Sequence, residues 1–168
     1  IFRALNYPDQ SDKPQAEQLR AGEHSDYDNL TICRIEDRPG GLQARNIKGA
    51  WVDVPPVRDA FVINIGDLMM RWTNDRWKST RHRVVNPPRE RAADSRRISM
   101  CFFFEPNYDA VIECLPTCQS ADEPIKYQPI AAGDYMIEKF ARQAKGMEWS
   151  EADRMKFDTS DTETRFTQ

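Results

Sequence analysis

The sequence has little of what marks several common protein classes. Its 168 residues include only four cysteines and two histidines. No apolar run approaches the ~20 residues that a membrane-spanning helix needs. The spacing of the cysteines fits no paired zinc motif. A formal net charge of −3 gives no general attraction to nucleic acid or to an anionic membrane. These absences exclude zinc-finger, membrane-spanning and strongly basic nucleic-acid-binding proteins.

The four cysteines are interpreted as reduced thiols. A chain in which 30% of the residues are charged does not have the composition of a small disulfide scaffold. Cys33 and Cys101 fall within apolar segments that we predict to be strands. A disulfide between Cys114 and Cys118 is the less favoured alternative.

The overall composition fits one globular domain. The length allows a sizeable core, and 39% of the residues are hydrophobic. The sequence opens at Ile1 inside a predicted strand rather than with a signal peptide. We therefore expect a fragment or a processed product of a cytoplasmic protein, with any upstream targeting segment outside this sequence.

Short apolar or alternating runs, separated by turn residues, predict a β sandwich or barrel. The predicted strands are Phe2–Tyr7, Leu19–His24, Leu30–Ile35, Leu42–Arg45, Trp51–Val54, Phe61–Ile65, His82–Val85 and Ile98–Phe104. Leu68–Trp72 is predicted as one helical turn, and residues 107–130 as irregular. Tyr135–Ala144 has helical spacing, and a capping-box pattern at residues 150–153 predicts a last short helix.

The two histidines are candidates for a metal site. His24 is followed two positions later by Asp26, and alternate residues of a strand project from the same face. His82 is the only other imidazole in the sequence. Two histidines and one carboxylate form the facial triad of non-heme Fe(II) oxygenases, which keeps coordination positions open. The alternative is an H-x-D without a metal and a solvated His82.

A second pattern places a cation and a hydroxyl on one side of an apolar strand. Arg97 and Ser99 are separated by one residue and therefore point together toward the predicted interior. A buried guanidinium without a partner costs several kcal/mol, so a bound anion would be its natural partner. The planar fork of arginine suits a carboxylate. The alternative is an internal salt bridge to one of the 27 acidic residues.

In combination, these motifs resemble the 2-oxoglutarate/Fe(II)-dependent dioxygenases, in the branch similar to isopenicillin N synthase. The resemblance covers about residues 1–145 and follows the family's order. The segments that carry it, besides the H-x-D, the distant His and the R-x-S, are Leu5–Pro8, Gly22–Tyr27, Leu30–Thr31, Gly41–Gln43, Trp51–Val52, Val62–Asp67, Ser79–Val85 and Phe104–Asn107.

The resemblance implies a role for individual residues. The iron ligands would be His24, Asp26 and His82. The distal carboxylate of 2-oxoglutarate would be held by Arg97 and Ser99, joined by Tyr7. Substrate would face Phe103 and Glu105. The turn before His82 would be shaped by Asn64, Gly66 and Asp67.

The resemblance also implies a fold and an activity. The fold would be mainly β, a double-stranded β-helix (jelly roll) with C-terminal helices, lacking the family's N-terminal region. Residues 1–106 would form the Fe(II)- and 2-oxoglutarate-binding core, and residues 107–168 an irregular segment and helices packed on it. The chain would use Fe(II), 2-oxoglutarate and O₂ to hydroxylate or otherwise oxidise a small organic molecule, releasing succinate and CO₂.

Two alternative functions remain open from the sequence. One is an Fe(II)/O₂ oxidase of the same fold that does not use 2-oxoglutarate, since R-x-S occurs in some of those relatives. The other is a truncated, inactive jelly-roll binding module. The segment 71–97 holds nine basic and three acidic residues. We interpret it as a solvated loop with one anion-binding arginine, so we expect no nucleic-acid or membrane partner.

Overall fold

The computed structural model describes residues 1–10, 18–38 and 41–144. Short β-strands dominate this part of the chain. In chain order the elements are β1 (Phe2–Tyr7), β2 (Ala21–His24), β3 (Leu30–Ile35), β4 (Leu42–Arg45), β5 (Trp51–Asp53), β6 (Val62–Ile65), α1 (Asp67–Trp72), β7 (His82–Val84), β8 (Arg97–Phe104), β9 (Val111–Ile112), β10 (Ile130–Ala131) and α2 (Ala132–Ala144).

Eight of these strands form two four-stranded antiparallel sheets. The first has the spatial order β1-β8-β3-β6 and the second has the order β2-β7-β4-β5. Inward-facing side chains of both sheets line one cavity, so the sheets face each other across it. The predicted mainly β sandwich is therefore confirmed.

All eight predicted strands form, and their ends differ by no more than two residues. β2 begins at Ala21 rather than Leu19, and its pairing with β7 is irregular between Ala21 and His24. The segment 107–130 is more regular than predicted. It contains β9, which pairs with β10, and a 3-10 turn at Pro116–Cys118. Two-residue strands give too short a pattern to be recognised by alternation.

The helical predictions are also largely correct. α1 covers the predicted turn, and α2 begins at Ala132, three residues before the predicted Tyr135. The polar loop between His82 and Arg97 contains a 3-10 helix at Arg89–Asp94. The short helix predicted from residue 150 lies outside the described residues.

The compact apolar core lies beside the sandwich rather than inside it. Its fully buried members come from α1, the β9–β10 ribbon and α2, and Trp72 packs against them. They are Leu68, Ile112, Ile130, Ala132 and Tyr135. The space between the sheets is left to the cavity and to polar side chains.

A buried ion pair ties α2 to the strands. Lys139 Nζ lies 2.6 Å from Asp67 Oδ2, and both side chains are buried. The same carboxylate oxygen accepts hydrogen bonds from the Tyr135 hydroxyl at 2.9 Å and from Ser25 Oγ at 3.2 Å. Because Ser25 follows β2 directly, the C-terminal helix and the end of that strand share one acceptor.

Gly66 is required by a close approach of two backbone segments. A Cβ atom at this position would lie 2.1 Å from the carbonyl oxygen of Asp28. The Gly66 amide donates to the carbonyl of Asn29 at 3.0 Å, which holds the start of α1 against the 25–29 loop. Any side chain here would push that loop away.

The division into residues 1–106 and 107–168 stays a prediction, as does the cytoplasmic location. Across the described ranges, none of the helices has the length and apolar character needed to cross a membrane. The four cysteines are free thiols, as predicted, and this includes Cys114 and Cys118.

Gly66→Ala should lower the free energy of unfolding by about 3 kcal/mol, because the new methyl group meets backbone rather than a movable side chain. Thermal or urea unfolding measures the change. Gly22→Ala is the matched control, since nothing lies within 4 Å of a Cβ there. Equal stability of the two variants would contradict the close approach.

Lys139→Met should lower the free energy of unfolding by about 3–5 kcal/mol, because it removes the cation that pairs with the buried Asp67 carboxylate. Urea unfolding at neutral pH gives the value. Lys48→Met removes the same charge at an exposed position and should change stability by less than about 0.5 kcal/mol. A small effect at both positions would show that the ion pair does not hold α2.

Candidate active site

A cavity of about 780 Å³ lies between the two sheets. Seven of the eight residues predicted for the site line it: His24, Asp26, His82, Arg97, Ser99, Tyr7 and Phe103. A smaller pocket of about 180 Å³ shares His24, Asp26 and Phe103 with the cavity. Glu105, the remaining predicted residue, lines that smaller pocket.

His24, Asp26 and His82 converge on one point. Asp26 Oδ1 lies 3.8 Å from His24 Nε2 and 3.7 Å from His82 Nε2. One potential ligand atom from each residue falls within 4.8 Å of the others. The two imidazole rings are 4.3 Å apart, centroid to centroid. A single metal ion can therefore contact all three side chains.

Backbone carbonyls orient both imidazoles. His24 Nδ1 lies 2.7 Å from the carbonyl oxygen of Gly22, and His82 Nδ1 lies 3.0 Å from that of Thr80. With Nδ1 protonated to donate these bonds, each Nε2 keeps its lone pair and faces Asp26. Metal-binding histidines are commonly held in this way through the second ring nitrogen.

The surroundings of His24 favour its neutral form. Burial, followed by the proximity of His82, lowers the pKa of His24. Neutral imidazole is the form that binds a metal.

Burial and the neighbouring Asp26 carboxylate raise the pKa of Asp28 to about 7. Protonation of Asp28 thus reduces the repulsion between two carboxylates in the same loop.

Two polar side chains hold the carboxylate of Asp26. Thr31 Oγ1 donates to Asp26 Oδ2 at 2.5 Å, and Asn64 Nδ2 donates to the same oxygen at 2.7 Å. The other oxygen, Oδ1, faces the imidazoles. The amide of Asp67 donates to the carbonyl of Asp26 at 2.9 Å and fixes the backbone as well.

The prediction that His24 and Asp26 share a strand face is wrong in its geometry. β2 ends at His24, and Asp26 lies in the loop that follows. The two side chains meet because Thr31 and Asn64 hold the loop carboxylate in place. The sequence predicts no role for Thr31, and it predicts Asn64 only as a residue that shapes a turn. The available signal was a polar residue at an inward-facing position of each strand.

Arg97 lines the same cavity as the His-Asp-His cluster and is buried, with 3% of its surface exposed. Its Nη1 donates to Ser99 Oγ, and the ring of Tyr7 lies 4.1 Å from its guanidinium carbon. Burial lowers the pKa of Arg97. Over the described ranges no carboxylate forms an ion pair with Arg97, which argues against the internal salt bridge considered above.

Position on β8 explains why Arg97 and Ser99 point inward together. Residues of this strand alternate between buried and exposed, and Arg97, Ser99 and Cys101 are on the buried side. β8 is also paired on both edges, with β1 and with β3. The predicted common face of the R-x-S motif is confirmed.

The sequence profile of the 2OG-Fe(II) oxygenase superfamily matches residues 2–106. The chain belongs to this superfamily. Membership confirms the resemblance drawn from the motifs, and with the two antiparallel sheets it confirms the jelly-roll fold. The cofactors that characterise this superfamily are Fe(II) and 2-oxoglutarate, with O₂ as the usual cosubstrate.

Individual relatives support the same assignment. The chain is 42% identical over 148 residues to the 2-oxoglutarate-Fe(II) type oxidoreductase hxnY of Emericella nidulans, covering 86% of this chain and 40% of that protein. It is 34% identical to a homoarginine-6-hydroxylase of Oryza sativa subsp. japonica, covering 83% and 42%. The chain thus spans less than half the length of these superfamily members.

Solved structures agree with the sequence matches. A full-length Neurospora crassa protein, crystallised in complex with alpha-KG and thymine, superimposes with a TM-score of 0.77 at 38% identity. The match covers 84% of this chain and 44% of the Neurospora crassa chain. The superfamily fold is therefore present in the described part of the chain.

Thr31→Val should weaken binding of a divalent metal by roughly 10- to 100-fold, because it removes a hydrogen bond that orients Asp26. Anaerobic calorimetric titration with Fe(II) measures the affinity. Thr31→Ser keeps the hydroxyl and should bind nearly as the parent protein does. Equal affinities for the valine and serine variants would rule out this role.

Proposed function

We propose that this chain is the catalytic part of an oxygenase that uses Fe(II), 2-oxoglutarate and O₂ to hydroxylate or otherwise oxidise a small organic molecule. The products of the cosubstrate would be succinate and CO₂. The observation that carries the proposal is a buried arginine without a carboxylate partner in the described residues, in the same cavity as a convergent His-Asp-His cluster.

The donor set fits Fe(II). Two imidazole nitrogens and one carboxylate oxygen are a combination that binds Fe(II) while leaving coordination positions open. In this chain Nδ1 of each histidine and Oδ2 of Asp26 are already engaged. The atoms left over, two Nε2 and one Oδ1, are those that converge. We assign His24, Asp26 and His82 as the residues that would hold the metal.

The surroundings of Arg97 fit a carboxylate. A guanidinium binds a carboxylate with two parallel hydrogen bonds, and Ser99 adds a hydroxyl donor beside it. The ring of Tyr7 packs on the guanidinium and limits its movement. We assign Arg97, Ser99 and Tyr7 as the residues that would hold the distal carboxylate of 2-oxoglutarate.

Fe(II) with 2-oxoglutarate and O₂ supplies the oxidising power when bound; the chain supplies position and shielding. Thr31 and Asn64 hold the carboxylate ligand, and the carbonyls of Gly22 and Thr80 hold the imidazoles. The two facing sheets would flank the cosubstrate on both sides. Orientation of this kind lets the reaction occur at one chosen position of the substrate.

The smaller pocket is the proposed substrate side. It adjoins His24 and Asp26, and its walls include Phe103, Glu105 and Arg3. The Arg3 guanidinium carbon lies 5.6 Å from the centre of the Phe103 ring. An aromatic surface flanked by charges of both signs suits a small polar molecule, and the Neurospora crassa relative is one whose structure holds thymine together with alpha-KG.

The comparisons support this function over the two alternatives. The superfamily and its solved alpha-KG complexes favour a 2-oxoglutarate-dependent oxidoreductase over an oxidase that does not use the keto acid. Retention of the complete cluster and of the arginine favours an active site over a binding module.

Arg97→Ala should weaken binding of 2-oxoglutarate at least 10-fold while leaving Fe(II) affinity unchanged, because charge-assisted bonds are worth about 1.5–3 kcal/mol. Anaerobic titration of the Fe(II)-loaded protein, followed by the visible absorption band of the keto acid chelate, measures this. His24→Ala should abolish both iron binding and the band.

Arg96→Ala is the matched control, because Arg96 is the exposed neighbour of Arg97. It should bind the keto acid like the parent protein. Unchanged 2-oxoglutarate affinity in Arg97→Ala would overturn the assignment of that residue. Absence of the band in the parent protein, at saturating Fe(II) and 2-oxoglutarate, would overturn the proposed function.

A further inference from the structure

Two cysteines that the proposed function does not use face each other inside the main cavity. Cys33 on β3 is directly opposite Cys101 on β8, and their Sγ atoms are 2.6 Å apart. Both are free thiols. Both line the cavity that also holds Arg97 and Ser99. A small reactant that enters the cavity can therefore reach this pair.

The position of the pair in the ladder allows a disulfide. The amide of Glu36 donates to the carbonyl of Ile98, which makes Glu36 and Ile98 a hydrogen-bonded pair. Because pairs alternate along an antiparallel ladder, the register makes Cys33 and Cys101 a non-hydrogen-bonded pair. The Cα atoms of such a pair are about 4.5 Å apart, within the range of roughly 4.4–6.8 Å that disulfides span.

A bridge at this position would be accessible to reductants, because both sulfurs belong to residues that line the cavity. Labile disulfides are the type found in regulation, whereas structural bridges resist reduction. The pair is thus suited to switching between a dithiol and a disulfide.

The local chemistry favours one thiol as the nucleophile. The hydrogen bond that the two thiols share, opposed by burial and assisted by the Arg97 guanidinium, lowers the pKa of Cys33. The same hydrogen bond, together with burial, raises the pKa of Cys101. Cys33 is therefore the thiol that we expect to react first, and Cys101, in contact with it, the thiol that resolves the product.

We propose that Cys33 and Cys101 form a reversible disulfide that weakens the binding of 2-oxoglutarate. The oxidant class is a peroxide, and hydrogen peroxide is its smallest member. It converts the Cys33 thiol to a sulfenic acid with release of one water. The Cys101 sulfur then displaces the hydroxyl as a second water, and the S–S bond forms. Two thiols are oxidised by two electrons, and one peroxide is reduced.

The bridge would act on the cosubstrate site through the two strands. Arg97 and Ser99 precede Cys101 on the inner face of β8, and Thr31 precedes Cys33 on β3. Bond formation draws the sulfurs together by roughly half an ångström, to about 2.05 Å. Because binding constellations must be held to within about 0.5 Å, we expect the part of this movement that β8 transmits to Arg97 and Ser99 to weaken their hold on the cosubstrate. This regulatory consequence rests on the proposed function, whereas disulfide formation does not.

The test treats the metal-free protein with hydrogen peroxide and removes the excess with catalase before any iron is added. Mass spectrometry of the alkylated, non-reduced digest should show one linked peptide pair containing Cys33 and Cys101. Anaerobic Fe(II) loading and titration should then show 2-oxoglutarate affinity lowered by roughly 10-fold. Treatment with dithiothreitol should remove the linked pair and restore the affinity.

The remaining cysteines provide the matched control. The double variant Cys114→Ser, Cys118→Ser should respond to peroxide as the parent protein does. The double variant Cys33→Ser, Cys101→Ser should bind 2-oxoglutarate equally before and after treatment. If that variant does not fold, Cys33→Ala alone gives the same comparison.

Failure to find the linked pair, or a bridge at Cys114 and Cys118 instead, would overturn the proposal. A linked pair with unchanged 2-oxoglutarate affinity would overturn its regulatory part. Reduced protein that binds no 2-oxoglutarate would overturn the proposed function and the regulatory part with it. In that case the mass spectrum still decides, by itself, whether the disulfide forms.

Discussion

The placement of one carboxylate determines whether the site exists. Asp26 lies in a loop, where a free aspartate would sample many rotamers, yet one of its oxygens accepts hydrogen bonds from Thr31 and Asn64. These donors come from β3 and β6, adjacent strands of the first sheet. The unengaged oxygen is thereby aimed at two imidazoles that belong to the other sheet. Assembly of the cluster therefore requires both sheets to be formed and correctly spaced.

Polar side chains between the sheets take the place of apolar packing, and the stability lost there is supplied by other parts of the fold. Arg97, Ser99 and Thr31 occupy inward-facing positions that would otherwise carry aliphatic side chains. The apolar core is displaced to the contact of α1, the β9–β10 ribbon and α2. A stable domain and an open, charged cavity thus coexist because different residues meet the two requirements. This separation explains why the largest fully buried side chain in the described part of the chain, Tyr135, lies on α2.

Most of the fold could be predicted from the sequence because strand alternation and turn residues are local signals. The common inward direction of Arg97 and Ser99 could be predicted because alternate residues of a strand share a face, and the structure confirms it on β8. The position of Asp26 did not follow, because it depends on side chains from two other strands. The pairing of Cys33 with Cys101 was equally hidden, since 68 residues separate them and only the register of β3 with β8 brings them together. Long-range register is the information that a single sequence lacks.

The bond network around Asp67 links distant parts of the chain into one cooperative unit. Its carboxylate joins Lys139 and Tyr135 of α2 to Ser25, the residue that lies between His24 and Asp26 in the sequence. Fraying of that helix would release Ser25 and loosen His24 and Asp26 together. Amide protons of α2 and of the 25–29 loop should accordingly exchange with solvent at similar rates, since both open in the same event.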